Sequence, residues 1–162
     1  MRALVVLFAL SLGFATAARA ETGAALHIGL DVIKPALGVP NLEVEVQIDK
    51  TLTAHVFGEI KAFDDPFEVL KDHPAAYARA GVRYFAWTFQ DTTRATGLFG
   101  GIGAGAMMAT LDERPSAVVN GEVGYKLVLF DMVQLAPRVY ANVPLDGQEP
   151  TPGFELMLGV VF

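Results

Sequence analysis

The chain of 162 residues contains no cysteine, which removes disulfides and thiolate metal ligands as sources of stability. Basic residues are scarce: Lys and Arg number 12 against 18 Asp and Glu, for a net charge of −6, and they form no cluster. That balance argues against a nucleic-acid partner. Past residue 20 no apolar run approaches the roughly 20 residues a membrane-spanning helix needs. Any crossing of a bilayer must therefore be made by strands, which have to close on themselves to satisfy their backbone groups. Helical periodicity is also missing, apart from a turn or two in the longest loop. Serine is nearly absent, Ser116 being the single one beyond residue 20.

What is present begins with an export signal. Arg2 supplies a positive start, the apolar stretch from Ala3 runs to about Ala15, and Ala18-Arg19-Ala20 reads as a cleavage site. Residues 1–20 are thus expected to be a signal peptide, and residues 21–162 a single domain. Removing the signal takes away Arg2 and Arg19 but no acid, so the remaining chain is more acidic still.

That remainder alternates apolar and polar residues with a period of two, the signature of strands with two unlike faces. Eight segments are legible: residues 22–32, 42–49, 52–63, 82–90, 96–110, 117–129, 133–142 and 154–162. In the second, Leu42, Val44, Val46 and Ile48 stand against Glu43, Glu45, Gln47 and Asp49 without exception. In the fourth, Phe85, Trp87 and Phe89 are placed on the apolar face. Pro137, in the middle of the seventh, lacks an N–H and predicts a bulge or a break. Connections at 49–51, 91–95 and 130–132 are short, while those at 33–41, 64–81, 112–116 and 143–153 are longer. Short and long alternate strictly, as they do between the two ends of a transmembrane barrel.

The last segment carries the most specific signal. Phe154, Leu156, Leu158, Val160 and Phe162 occupy every second position up to the final residue. A closing strand that ends on an aromatic resembles the assembly signal of Gram-negative outer-membrane β-barrels, the small OmpA/OmpX-like ones in particular. The resemblance implies an all-β fold: an eight-stranded, antiparallel, up-and-down transmembrane β-barrel in the outer membrane, with both termini periplasmic. It implies a monomer whose partners are outer-membrane lipids, lipopolysaccharide and the barrel assembly machinery. The work it implies is structural or surface-interaction work. It carries over no catalytic residues.

Alternation alone leaves the direction of the apolar face open. Apolar-out is a membrane barrel; apolar-in is a soluble, lipocalin-like carrier. Gly101, Gly103 and Gly105 on the polar face favour the first, because they make room in a narrow lumen for long side chains from opposite walls. The polar face then supplies a lumen charge network of Asp31, Glu43, Glu45, His55, Glu59, Lys61, Glu122, Lys126, Arg138 and Glu155. Across the hairpins, Glu45 is expected opposite His55, and Glu122 opposite Tyr140.

Three uses of these residues compete. A packed, salt-bridged plug has no pore and no chemistry, since enclosed charges must pair. A narrow, cation-preferring path would exploit an excess of lumen acids. A lipid A-modifying enzyme would need Ser116 beside a base such as His73, and the usual pairing motifs are missing. His27, His55 and Glu45 form a conceivable metal set, but histidines satisfied by carboxylates are commoner, so no metal or cofactor is expected. Arg79 and Arg83, at the outer end of the fourth segment, are candidates to contact lipopolysaccharide phosphates. The acidic run from Asp64 to Glu68 reads as a solvated loop.

Overall fold

The computed structural model describes residues 25–61, 74–87, 94–108, 110 and 114–162. The signal segment, the acidic run from Asp64, His73, Phe63 and Phe89 lie outside these residues. Eight antiparallel strands follow in chain order: β1 (Leu26–Asp31), β2 (Asn41–Gln47), β3 (Leu52–Ile60), β4 (Ala76–Trp87), β5 (Gly97–Met108), β6 (Ser116–Leu129), β7 (Val133–Pro144) and β8 (Thr151–Val161). Each pairs with its sequence neighbour, and β1 pairs with β8, from His27 opposite Val161 to Asp31 opposite Met157, which closes the barrel. The sheet therefore has no free edge. One short 3-10 helix, Lys34–Leu37, follows β1; Pro35 suits its start, and Gly38 at φ 85° ends it.

The register follows the turns expected from the sequence. Glu45 stands opposite His55, and Glu122 opposite Tyr140. Asp49 closes the β2–β3 turn, its carboxylate accepting from the Thr51 and Leu52 backbone N–H at 2.7 and 2.9 Å. The hydrogen bonds from Thr51 hold that carboxyl below the usual aspartate range.

Three expectations need correction. Pro137 causes neither bulge nor break. Leu156, its partner on β8, turns away toward β1, accepting from Val32 N–H and donating to Asp31. The missing N–H of Pro137 therefore faces β6, where pairing lapses only between Gly124–Arg138 and Leu127–Leu135 and resumes in the same register. Second, β4 begins at Ala76 rather than at Val82, and a register shift lies between Phe85 and Trp87. Phe85 keeps the inward parity of Arg83 and lies in the lumen, 4 % exposed, while the bulge after it turns Trp87 outside at 56 %. Third, β7 and β8 run longer than their alternation suggests, to Pro144 and from Thr151, so the loop between them shrinks to 145–150.

The barrel is apolar outside and polar inside. Leu30, Val82, Leu98, Ile102, Val123, Val139, Phe154 and Val160 are exposed on the wall. Along all eight strands, the positions that share their outward direction hold aliphatic residues, Gly, Pro, Met or an aromatic, and not one charged side chain. Inward glycines receive the bulky lumen groups. A Cβ on Gly153 would sit 2.3 Å from the Tyr140 ring, and one on Gly124 would sit 2.6 Å from Phe99. Gly101 similarly clears Glu122 and Arg83, as the sequence suggested, whereas Gly103 and Gly105 lie closest to the backbone of β4.

Gly153→Ala is accordingly expected to lower stability by about 1–3 kcal/mol through overpacking against Tyr140. Gly58→Ala, where nothing lies within 4 Å, should stay within about 0.5 kcal/mol. Urea unfolding of the refolded barrel, followed by tryptophan emission, measures both.

Candidate functional site: the charged lumen

The lumen is stratified. At the end bearing the 48–51 and 130–132 turns, two apolar groups fill it: Phe85 with Ala95 and Phe99, and Ala25 with Val128 and Val161. Toward the other end lies a third, Phe57 with Tyr77 and Val118. Between them is a layer of charge.

Arg83 is its centre. Both of its terminal nitrogens grip Glu43 at 2.7 Å, its Nε donates to Glu122 at 2.5 Å, and Nη1 also reaches Glu45. Fork geometry of this kind is available only to arginine. Arg138 joins Glu43 and Glu155 at 2.5 Å each. Lys126 pairs with Glu45 on one side of the layer. On the other, Lys34 reaches down from the 3-10 helix to Glu59 and Glu155, at 2.7 Å each. Arg79 approaches Glu122 at 3.2 Å and Glu155 at 3.5 Å. Every one of these side chains is nearly inaccessible.

The count of charge decides what this layer can do. Glu43, Glu45, Glu59, Glu122 and Glu155 are matched one for one by Lys34, Arg79, Arg83, Lys126 and Arg138. The acidic excess that a cation path requires is not found in this layer. Aromatic rings close over the cations: Arg79 lies 4.8 Å from the Phe57 centroid and 5.4 Å from Tyr140, Arg83 lies 5.2 Å from Phe99, and Lys126 lies 5.1 Å from Phe85. Such contacts replace part of the hydration the cations lose on burial.

Most of the network expected from the sequence is thus brought together, with three differences. Asp31 is buried, but it spends its carboxylate on backbone, accepting from Ile33 and Lys34 N–H at 2.6 and 2.9 Å and from Leu156 N–H at 3.1 Å. It shapes the entry to the 3-10 helix rather than joining the ion pairs. Lys61 sits half-buried just past the end of β3, outside the buried layer. Arg79 and Arg83 are not available to lipopolysaccharide: each is 2 % exposed, and they are the core of the network. Their inward direction was visible in the spacing Arg79-x-Gly81-x-Arg83, opposite Ala78, Ala80 and Val82, once the strand is started early enough. Lys34 sits in a loop, where strand alternation carries no information.

Other candidate chemistry does not assemble among the described residues. His27 and His55 flank Glu45 in register, but Glu45 is held by Arg83 and Lys126, and the His27 ring bonds Gln134 at 3.0 Å. Among the described residues no group of three His, Cys, Asp or Glu is placed to hold a metal. The Ser116 hydroxyl donates to Asp146, an exposed carboxylate held below its usual range by that bond. His73, the base that the enzyme reading paired with Ser116, lies outside the described residues. Comparison with protein-family models, curated proteins and solved structures finds no match.

Arg83→Ala would strand Glu43, Glu45 and Glu122 beside fewer cations. Breaking a buried pair from one side costs about 3–5 kcal/mol, and the unfolding midpoint in urea should fall accordingly. Arg83→Lys, which keeps the charge but loses the fork, should recover only part of that loss.

Proposed function

We propose that this chain is a Gram-negative outer-membrane β-barrel with a structural or surface-interaction role, its lumen sealed by a neutral ionic plug. The observation that carries the reading is the inversion of polarity. The outward positions of the eight described strands lack any charge, while eleven charged side chains, six acids (Asp31 among them) and five bases, are buried among the described residues. A wall of that composition is unfavourable in water, where contiguous apolar patches above a few hundred Å2 are rare. It suits hydrocarbon, and the aromatics Trp87, Tyr84, Phe154 and Phe162 suit the borders of a bilayer. The inverted, lipocalin-like carrier loses its support, since its apolar interior is occupied by ion pairs.

With the lumen closed, contact with the surroundings falls to the wall and the loops. Outer-membrane lipids and lipopolysaccharide are then the partners of the wall. Both ends of the described chain, near Leu26 and Phe162, belong to the periplasmic side. The protein acts as a monomer, delivered to the membrane by the barrel assembly machinery.

Two measurements test this. The protein should remain in the outer-membrane fraction after alkaline carbonate washing; release into the periplasmic wash would refute the location. Purified protein in planar bilayers should show no stepwise conductance. Steps that lose cation preference in Glu45→Gln or Glu122→Gln would establish a pore in place of the plug. A lipid A acylation pattern that changes in Ser116→Ala would bring back the enzyme.

A further inference from the structure

The 48–51 and 130–132 turns, at one end of the barrel, differ in chemistry. The β2–β3 turn centres on Asp49 and Lys50 and is capped by its own aspartate. The β6–β7 turn centres on Phe130, with Asp131 and Met132 following. Met132 N–H donates to the Leu129 carbonyl at 3.1 Å, and Phe130 and Asp131 take φ of 54° and 56°. Two successive positive φ values are those of a type I′ turn, which favours Asn-Gly and disfavours a bulky aromatic. The strain is not offset by packing within the chain, because Phe130 is 92 % exposed and Met132 is 61 % exposed.

The wall beside this turn is apolar without interruption. Leu129, Val133, Val160 and Phe162 are all exposed there, and they lead directly onto Phe130. Whatever covers the wall therefore extends over the turn. We propose that the β6–β7 turn inserts into the periplasmic-leaflet interface, Phe130 and Met132 lying at the boundary between phospholipid headgroups and acyl chains. Asp131, between them, stays at headgroup level. In the β2–β3 turn Ile48 is exposed on the wall side, but the tip, Asp49 to Thr51, is polar and remains in water, so the barrel is held deeper on its β6–β7 side.

This rests on the membrane reading above, and the experiment separates the two. Trp87 is the single tryptophan of the chain and stands on the outer wall. Barrels are refolded into phosphatidylcholine vesicles whose acyl chains are brominated either near the headgroup or near the methyl end. Bromine quenches tryptophan only on contact. Quenching of Trp87 reports that the barrel is in the bilayer. Phe130→Trp combined with Trp87→Phe then reports the turn, and Met132→Trp in the same background covers the case in which the first variant fails to fold. The expected result is loss of emission with the shallow bromines, less with the deep ones, and protection from aqueous iodide. If Trp87 is quenched while both turn tryptophans ignore bromine and are quenched by iodide, the inference is overturned and the membrane reading stands. If Trp87 itself is not quenched, both fall.

Discussion

Arg83 holds three carboxylates from two strands, Glu43 and Glu45 on β2 and Glu122 on β6, from its own place on β4. An isolated ion at that depth would be very costly; the three acids draw part of their compensation from Arg83, and it cannot stay buried without them. The same constraint passes along the layer. Glu43 is shared with Arg138, Arg138 with Glu155, and Glu155 with Lys34, whose loop is positioned by Asp31. The network thus ties six of the eight strands and the 3-10 helix through the lumen, while backbone pairing ties them around the wall. Buried ion pairs are weak evidence for net stability. Their clearer consequence here is specification: a slip of one residue in any paired strand would turn ions toward the outside and leave their partners bare.

The rest of the interior follows from making room for those ions. Gly153 and Gly124 yield space to Tyr140 and Phe99, and those rings in turn lie against Lys34 and Arg83. The aromatic layers above and below the charges exclude water and favour cations at once. An eight-stranded barrel encloses just enough volume for side chains, and this one spends it on arginine, glutamate and rings. The role proposed for it is accordingly one of the surface rather than of the centre of the barrel.

The sequence carried the fold well because strand alternation and turn length are local. Eight segments, their pairing across the short turns, and the outward face of β8 could all be read from a period of two. The charged layer was legible wherever the alternation was clean, as in β2 and β6. It failed at β4 for a physical reason. A bulge after Phe85 inverts the parity, so an alternation anchored on Trp87 misassigns everything before it. Arg79 and Arg83 were thereby credited to the surface, although alternation begun at Ala76 places them inside. Lys34 and the backbone-capping role of Asp31 depend on a loop conformation that no periodicity encodes. Pro137 misled in the opposite sense. Its cost depends on which neighbour its nitrogen faces, and that is set by the pairing of β8 with β1.

The most direct test of a closed barrel locked by its lumen is electrophoretic mobility of the membrane-extracted protein, unboiled and after a series of heating steps. Backbone pairing with no edge, together with a buried ionic layer, should resist detergent in the cold. The account expects an unboiled band distinct from the boiled one, converting cooperatively on heating. A single band at the boiled position in every sample, from protein freshly extracted from membranes, would contradict it.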